Sequence, residues 1–381
     1  MNEKEQNFDR QTDRQTDRQT DRQTDRQTDR QTDRQDSRLY LDIVKGVAIF
    51  LMLWGHCIQC CSLGDFDYFE EPAFKFIYSF HMPLFMLVSG YLFFFSCRKR
   101  KLSQLLVHRT QSLLQPLVMC TILIYFTTTV VVKRSLSTII NGPWIDKLGT
   151  DSLWFLWGVL VSSIVVGIAT KAKAHKAVKI LIIILGFGFV CLFPNWETNL
   201  YMYPYFVLGF VFAKYKDKLP KWFLNLKYIF IVVFPIMLLF FEKKHYIYTT
   251  GIVSSDSFTE LIMIDVYRWA IGFAGSIFMM VILELLHRLV FVKRLTLAKP
   301  LASLGIKSLQ IYCVSVSILS FWLPKLYGKI CSMIGSNIFA TNMVVYNYVF
   351  TPILAIVYAV LLYYIVVLLE MIKVSKVLFG R

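Results

Sequence analysis

The chain has 381 residues, of which 56% are hydrophobic and 16% aromatic, and its mean hydropathy is +0.53. These values exceed the apolar content of a soluble domain, so the sequence predicts an integral membrane protein in contact with a lipid bilayer. A formal net charge of +16 is compatible with nucleic-acid binding, but the cations are distributed as in membrane proteins, and we expect no nucleic-acid partner.

Residues 1–37 form a hydrophilic tail. Asp-Arg-Gln-Thr occurs six times in succession from Asp9, followed by an incomplete copy that ends at Gln35. A segment of this composition cannot bury a core, and we predict that it is disordered. A tandem GACA tetranucleotide encodes the same residues in every reading frame, and gain or loss of one unit would shift the downstream frame. One hypothesis is therefore a slippage switch for expression (phase variation), and the other is an inert linker.

Residues 38–381 are predicted to form one transmembrane domain. Apolar runs of about 20 residues, the length that crosses a bilayer, are found at 39–62, 74–97, 113–132, 152–170, 177–193, 199–215, 222–241, 261–287, 301–324 and 343–372. The sequence therefore predicts an all-α, polytopic fold with about ten transmembrane helices.

Cations concentrate in alternate loops between these runs. With the N-terminus in the cytoplasm, the inside loops contain Arg98 to Lys101 with Arg109, Lys171 to Lys179, Lys214 to Lys221, and Arg288 to Lys299. The first outside loop is acidic, with Asp65, Asp67, Glu70 and Glu71. This alternation follows the positive-inside rule and predicts that both termini are cytoplasmic, in the inner (cytoplasmic) membrane of a cell.

The first span has a polar face. Lys45 and His56 are eleven residues apart, which places them on one side of a helix and about 16 Å from each other, and Asp42 lies near the same face. A cation at the cytoplasmic end and an imidazole near the middle of the membrane can align a long ligand that has an anionic head. Because polar groups are expensive inside lipid, we expect these residues to be functional.

The second span contains His81, Pro83, Ser89 and Gly90 within an otherwise apolar stretch. Proline frees a backbone carbonyl in a membrane helix, and small residues allow close packing, so a kinked and tightly packed helix is one interpretation of this pattern. Two histidines on adjacent spans are harder to explain as lipid-facing residues, which favours a functional site.

Other polar residues allow more than one interpretation. In the eighth predicted span, Asp265 and Arg268 are three residues apart and form either a buried pair that neutralises itself or a substrate contact. Most of the eight cysteines lie within predicted spans, where they behave as small apolar residues. The sequence His56-Cys57-x-x-Cys60-Cys61 lacks the further polar groups that a metal site needs. We expect no metal and no permanently bound cofactor.

These residues carry a resemblance to a known family. Arg38, Asp42, Lys45-Gly46 and His56, followed by Phe80-His81-Met82-Pro83-Leu84-Phe85 and Ser89-Gly90-Tyr91, are similar to the first two helices of the acyltransferase-3 family of integral membrane acyltransferases, particularly its fucose 4-O-acetyltransferase-like branch. Weaker similarity at 109–116, 153–156, 205–209 and 304–312 extends the resemblance in order from residue 38 to about 372.

The resemblance implies transfer of an acyl group, usually acetyl from cytosolic acetyl-CoA, to a hydroxyl of a cell-surface polysaccharide or its lipid-linked glycan precursor. His56 is then the general base or forms a transient acyl-histidine, and the catalytic set is His56, His81 and Asp42. The residues expected to bind the CoA phosphates are Lys45, Arg109, Arg98, Lys99 and Arg100. The residues expected to contact the acceptor are Ser89, Tyr91, Trp154 and Arg268.

Two positions depart from the family pattern. Ser112 stands where a second arginine is common in the third helix, and Ser315 stands where a histidine often ends the later motif. The runner-up function is a secondary transporter or exporter of a small molecule or glycan precursor. Many transporters have two related halves, and the pattern around His56 has no second copy in the sequence, which favours the enzyme. Acceptor, acyl length and oligomeric state are left open.

Overall fold

A computed structural model of the chain describes residues 36–61, 67–131, 153–250, 258–287, 298–319, 322–334 and 342–380. Within these ranges the chain is helical and contains no β-strand. The Asp-Arg-Gln-Thr tract, on which the slippage hypothesis depends, lies outside the described residues. The cations of residues 288–297 also lie outside them.

Apolar runs form helices in a bilayer because a helix satisfies its backbone N–H and C=O groups internally. The helices are, in chain order, α1 (Asp36–Cys60), α2 (Pro72–Lys99), α3 (Leu102–Arg109), α4 (Gln115–Val131), α5 (Trp154–Lys171), α6 (Lys176–Val190), α7 (Trp196–Tyr215), α8 (Lys221–Leu239), α9 (Phe258–Leu286), α10 (Ala298–Ile306), α11 (Ser308–Leu319), α12 (Trp322–Ile334), α13 (Met343–Met371) and α14 (Val374–Phe379). A π-helical turn, Thr110–Leu114, joins α3 to α4.

Among the described residues, six helices are long and apolar enough to cross a membrane, namely α1, α2, α5, α8, α9 and α13. The predicted spans 113–132, 177–193, 199–215 and 301–324 coincide with α4, α6, α7 and the pair α10 and α11. These four segments are shorter, more polar or interrupted. The structure therefore supports an all-helical, multi-pass membrane protein, whereas the number of ten spans and the cytoplasmic position of both termini stay predictions.

Helix α2 lies at the centre of the bundle and packs against α1, α5, α7 and α9. Its contact with α7 is a backbone contact. A Cβ on Gly90 of α2 would lie 2.0 Å from the carbonyl oxygen of Phe206, and a Cβ on Gly209 of α7 would lie 2.0 Å from that of Leu87. Only glycine allows the two helices to approach this closely, as small residues do at many helix contacts in membranes.

The bundle has two chemically different ends. We call the end where α1 begins and α2 ends the proximal end, and the end where α1 ends and α2 begins the distal end. At the proximal end, Lys227 pairs with Glu284 and Lys307 pairs with Glu370. At the distal end, the segment Phe241–Tyr248 follows α8 and crosses the start of α2, and we call it the strap. The Tyr246 hydroxyl in the strap donates to the Phe69 carbonyl at 3.0 Å.

We expect Gly209→Ala to destabilise the protein because the new methyl group forces α2 and α7 apart, at a cost of about 1–3 kcal/mol. The matched control is Gly188→Ala in α6, where an added Cβ would meet no heavy atom within 4 Å. The measurement is the fraction of monodisperse protein in detergent after heating to a series of temperatures. Equal melting temperatures for the two variants would contradict the close contact between α2 and α7.

Candidate functional site

His56 and His81 meet at the distal end, on either side of Tyr78. His56 lies near the end of α1, and the Tyr78 hydroxyl oxygen is 3.4 Å from its Nδ1. His81 lies one turn after Tyr78 on α2, with the two ring centroids 4.8 Å apart. His81 is buried and His56 is partly exposed. Because α1 and α2 run in opposite directions, residues separated by 25 positions form one polar cluster in an apolar surrounding.

The hydrogen bond of His81 determines which of its ring nitrogens can accept a proton. Nδ1 lies 2.9 Å from the carbonyl oxygen of Ile77, and since a carbonyl can only accept, Nδ1 carries the hydrogen. Nε2 of the neutral ring therefore has a free lone pair and can accept a hydrogen bond from a hydroxyl group. Donation from Nε2 to a developing oxyanion would instead require the imidazolium form.

A cavity lies beside His81 and Tyr78, beneath the strap, and the described lining residues do not include His56. Its walls include Tyr78, His81, Tyr201, His245 and Tyr248. The space open to the centre of a water molecule is about 20 Å³, which is enough for about one or two waters. A sugar ring does not fit in this volume, so its entry into the cavity requires the strap to move.

Arg268 fastens the strap to α9. The side chain is 1% exposed, and its Nη1 donates to Asp265 Oδ1 at 2.7 Å. The other donors go to strap carbonyls: Nε to His245 at 3.1 Å, and Nη2 to Lys244 at 2.7 Å and to Tyr246 at 3.2 Å. Asp265 and Arg268 thus form the self-neutralising buried pair, and the guanidinium also holds the segment that closes the cavity.

The four residues predicted to contact the acceptor fall into two groups. Trp154 and Arg268 lie at the distal end, and the Trp154 ring is 5.9 Å from that of Tyr248 in the cavity wall. Ser89 and Tyr91 lie about 12 and 15 Å from His81 along α2. The Tyr91 hydroxyl accepts a hydrogen bond from Lys216 Nζ at 2.6 Å. The structure therefore brings only the first group near the histidines.

The cations predicted to bind the CoA phosphates lie at the proximal end. Lys45 pairs with Asp42 at 2.7 Å, as the spacing of three residues predicts. Arg109 lies over the ring of Phe93 at 4.6 Å, and Arg98 over that of Phe94 at 5.8 Å. The remaining two predicted residues, Lys99 and Arg100, follow at the end of α2.

Asp42, which was predicted to be catalytic, is not next to the imidazole of His56. It lies about 21 Å from His56 along α1, and its ion pair joins it to Lys45. Its contact is therefore with a cation of the expected CoA site. Among the residues that the structure describes, no group of three His, Cys, Asp or Glu side chains is arranged to hold a metal ion.

The sequence analysis did not identify three components of the site. Tyr78 and Gln59 are each three residues from a histidine, Gln59 after His56 and Tyr78 before His81. Helical spacing could have indicated both of them. The strap is at least 160 residues from either histidine in sequence, and nothing in its composition marks it as part of the site.

Comparison with known proteins gives a family for the chain. A family model described as an acyltransferase domain matches residues 38–371. Nodulation protein NolL of Mesorhizobium japonicum is 31% identical over 180 residues, covering 46% of this chain and 48% of the relative. Nodulation protein NolL of Sinorhizobium fredii is 32% identical over 182 residues, covering 45% and 48%. The chain thus spans about half the length of these curated relatives, and no solved structure matches it.

We expect Arg268→Lys to loosen the strap, because a single ammonium group cannot reach Asp265 and three carbonyls at once. Hydrogen bonds from a charged donor contribute about 1.5–3 kcal/mol each, so loss of one or two should speed amide exchange in the strap by roughly tenfold or more. Hydrogen–deuterium exchange with mass spectrometry of residues 243–248 measures this. The control is Lys243→Gln, which removes the exposed ion pair with Asp67 and the contact of the ammonium with the Phe69 ring but leaves Arg268 intact. Equal exchange in both variants would show that Arg268 does not fasten the strap.

The strap should also lose stability in acid. The pKa of His245 is lowered to about 4 from its ordinary value of 6.5, chiefly by burial. The nearby cations Lys244 and Arg268 also lower this pKa, whereas Glu242 raises it. In the folded protein the Nδ1 lone pair accepts the Glu242 N–H at 2.8 Å, a bond that protonation of Nδ1 would break.

Because the unfolded chain binds the proton more readily, this contribution to stability is complete above pH 6.5 and is lost as the pH falls towards 4. We expect the melting temperature of the wild type to fall more steeply across this range than that of His245→Asn. In that variant an amide oxygen replaces Nδ1 and does not titrate. Parallel curves for the two proteins would exclude His245 as the titrating group.

Proposed function

The chain belongs to the acyltransferase-domain family, and on this premise we propose that it is a membrane-embedded O-acyltransferase. We propose acetyl-CoA as the donor, and as the acceptor a hydroxyl of a cell-surface polysaccharide or its lipid-linked precursor. The site of action is the inner (cytoplasmic) membrane. Family membership confirms the resemblance predicted from the first two helices.

The observation that carries this proposal is the arrangement of His56 and His81 around Tyr78, at the opposite end of the bundle from the cations. His56 is joined to Lys45 by one helix, with about 16 Å between them along α1. A donor with a phosphate-bearing head and an extended arm can place its head at the proximal cations and its thioester near His56. The acceptor hydroxyl then approaches from the distal cavity.

The chemistry follows from a general base beside the thioester. Nε2 of neutral His56 takes the proton of the acceptor hydroxyl as its oxygen bonds to the acyl carbon. The tetrahedral intermediate collapses, the carbon–sulfur bond breaks, and the CoA thiolate takes the proton from the imidazolium. Positioned general-base catalysis of this kind contributes typically about 10²- to 10⁴-fold in rate.

His81 and the proximal cations have supporting roles in this scheme. Nε2 of His81, freed by the bond from Nδ1 to Ile77, accepts a hydrogen bond from a hydroxyl of the acceptor and orients it. Lys45, with Asp42 beside it, attracts the donor's phosphate groups as a point charge. Arg109 and the exposed cations at the end of α2 extend this positive surface.

We expect His56→Ala to abolish O-acetylation while leaving the protein folded. The measurement is the O-acetyl content of surface polysaccharide by NMR, in a strain that lacks the gene and is complemented with wild type or variant at equal expression. The control is His175→Ala, the same chemical change at an exposed N-cap of α6. Acetyl signals should return with wild type and with the control, and stay absent with His56→Ala.

The purified protein separates the enzyme from the transporter. An acyltransferase with slow leakage to water releases free CoA thiol from acetyl-CoA, and this release should fall by about 10²-fold or more in His56→Ala. The enzyme would be rejected if the protein released no CoA thiol and deletion of the gene left the acetyl pattern unchanged. The transporter would then be the favoured function.

A further inference from the structure

We propose that Gln59 and Tyr78 set the tautomer of His56, placing its hydrogen on Nδ1 and leaving Nε2 free to accept a proton. The inference rests on the proposed function, since it assigns how the imidazole of His56 is prepared to act as the base. It adds two positioning residues to the site, neither of which touches the reacting atoms. Three hydrogen bonds and the packing of one aromatic ring support it.

The Gln59 amide is directed at two tyrosine hydroxyls. Gln59 lies on the last turn of α1, and its Nε2 donates to the Tyr68 hydroxyl at 3.3 Å. A glutamine amide has donors at one end and an acceptor at the other. With Nε2 directed to Tyr68, the acceptor Oε1 lies 3.5 Å from the Tyr78 hydroxyl.

The Tyr78 hydroxyl lies between two groups but has only one hydrogen to donate. Its oxygen is 3.5 Å from Gln59 Oε1 and 3.4 Å from His56 Nδ1. If it donates to Gln59, its lone pairs can accept the hydrogen of His56 Nδ1, and both contacts are hydrogen bonds. With the amide in this orientation, donation to His56 leaves no hydrogen for the contact between the Tyr78 oxygen and Gln59 Oε1. In a site of low polarity the arrangement with two bonds is favoured.

The consequence for His56 follows from its chemistry. A neutral imidazole has one N–H and one lone pair. When Nδ1 holds the hydrogen and donates to Tyr78, the lone pair is on Nε2, the nitrogen that the proposed mechanism uses as the base. The distances are at the long end of the range for hydrogen bonds. Catalytic contacts of this length commonly shorten when the substrate binds.

Packing holds the Tyr78 ring in this position independently of its hydroxyl. One face stacks on Phe74, with centroids 4.0 Å apart and ring planes at 21°. On the side of α1, a Cβ at Gly55 would lie 2.6 Å from the Cε2 atom of Tyr78. The ring thus lies against bare backbone one residue before His56. This placement pre-organises the hydroxyl for contact with the histidine.

The tautomer can be measured without any turnover. Nitrogen NMR of protein in lipid nanodiscs with isotope-labelled histidine distinguishes a ring protonated on Nδ1 from one protonated on Nε2. The chain has six histidines, and the signals missing from His56→Ala assign those of His56. In the wild type we expect the form protonated on Nδ1.

Variants then test how this tautomer is set. Gln59→Leu removes the acceptor of the Tyr78 hydroxyl and also the direct hydrogen bond between the Gln59 and His56 side chains. Tyr78 then donates to His56, so the hydrogen of His56 should move to Nε2. With that form kcat should fall roughly tenfold to hundredfold, with little change in the KM for acetyl-CoA. In Tyr78→Phe the competing donor is absent, and the loss of kcat should be smaller than in Gln59→Leu.

The double variant Gln59→Leu/Tyr78→Phe gives the most specific result. Since it removes the donor that forces the wrong tautomer, we expect it to be more active than Gln59→Leu alone. A purely structural role for Gln59 predicts the opposite, because the destabilising effects of two packing defects are expected to add. The control is Tyr203→Phe, which removes another tyrosine hydroxyl, one that bonds to the Ile183 carbonyl at 2.9 Å.

The outcomes separate this inference from the proposed function. A wild-type His56 protonated on Nε2, or a tautomer unchanged by Gln59→Leu, overturns the inference whatever the activity. A double variant that is less active than Gln59→Leu also overturns it. Conversely, the expected tautomers together with full turnover by His56→Ala would reject His56 as the base, while the assignment of its hydrogen would stand.

Discussion

The position of α2 is the constraint on which the rest of the structure depends. Gly90 and Gly209 bring the backbones of α2 and α7 into contact, and Gly55 admits the Tyr78 ring against α1. Tyr78 and His81 lie on the distal part of the same helix, so their distance from α1 is set by these contacts. In lipid, where apolar surface gives little driving force for association, close packing of this kind is a main source of helix–helix stability.

Under the proposed function, the two ends of the bundle present different chemistry to the two substrates. The proximal end has many cations, three of which pair with carboxylates on the same or a neighbouring helix, and it suits an anionic donor. The distal end has aromatic rings, hydroxyl groups and the imidazole of His81 beneath a strap, and the imidazole of His56 lies next to Tyr78. An acyl group that reaches from one end can meet a hydroxyl that enters from the other without either substrate crossing the bundle. The buried Arg268 connects this arrangement to access, because it holds the strap over the cavity.

The parts of the site that follow from spacing within one helix could be predicted from the sequence. The pairs Asp42 with Lys45 and Asp265 with Arg268 are both present, and apolar length alone indicated the membrane helices. Contacts between distant segments could not be predicted, because helical periodicity carries no information about them. The strap and its bonds to Arg268 belong to this class. Tyr78 was missed for a different reason: it lies outside the motif that begins at Phe80, and a buried tyrosine next to apolar residues is ordinarily part of the packing.

The setting of His56 in a membrane explains why neutral groups orient it. A carboxylate hydrogen-bonded to the histidine would fix the tautomer more strongly, but it would place a charge in a medium of low polarity with no cation to balance it. Tyr78 and Gln59 fix the same nitrogen without that charge. The cost is that the imidazolium formed during the reaction lacks a stabilising anion from either residue. Its proton must therefore pass quickly to the departing thiolate, so the base is most effective when attack on the thioester and departure of CoA follow closely on each other.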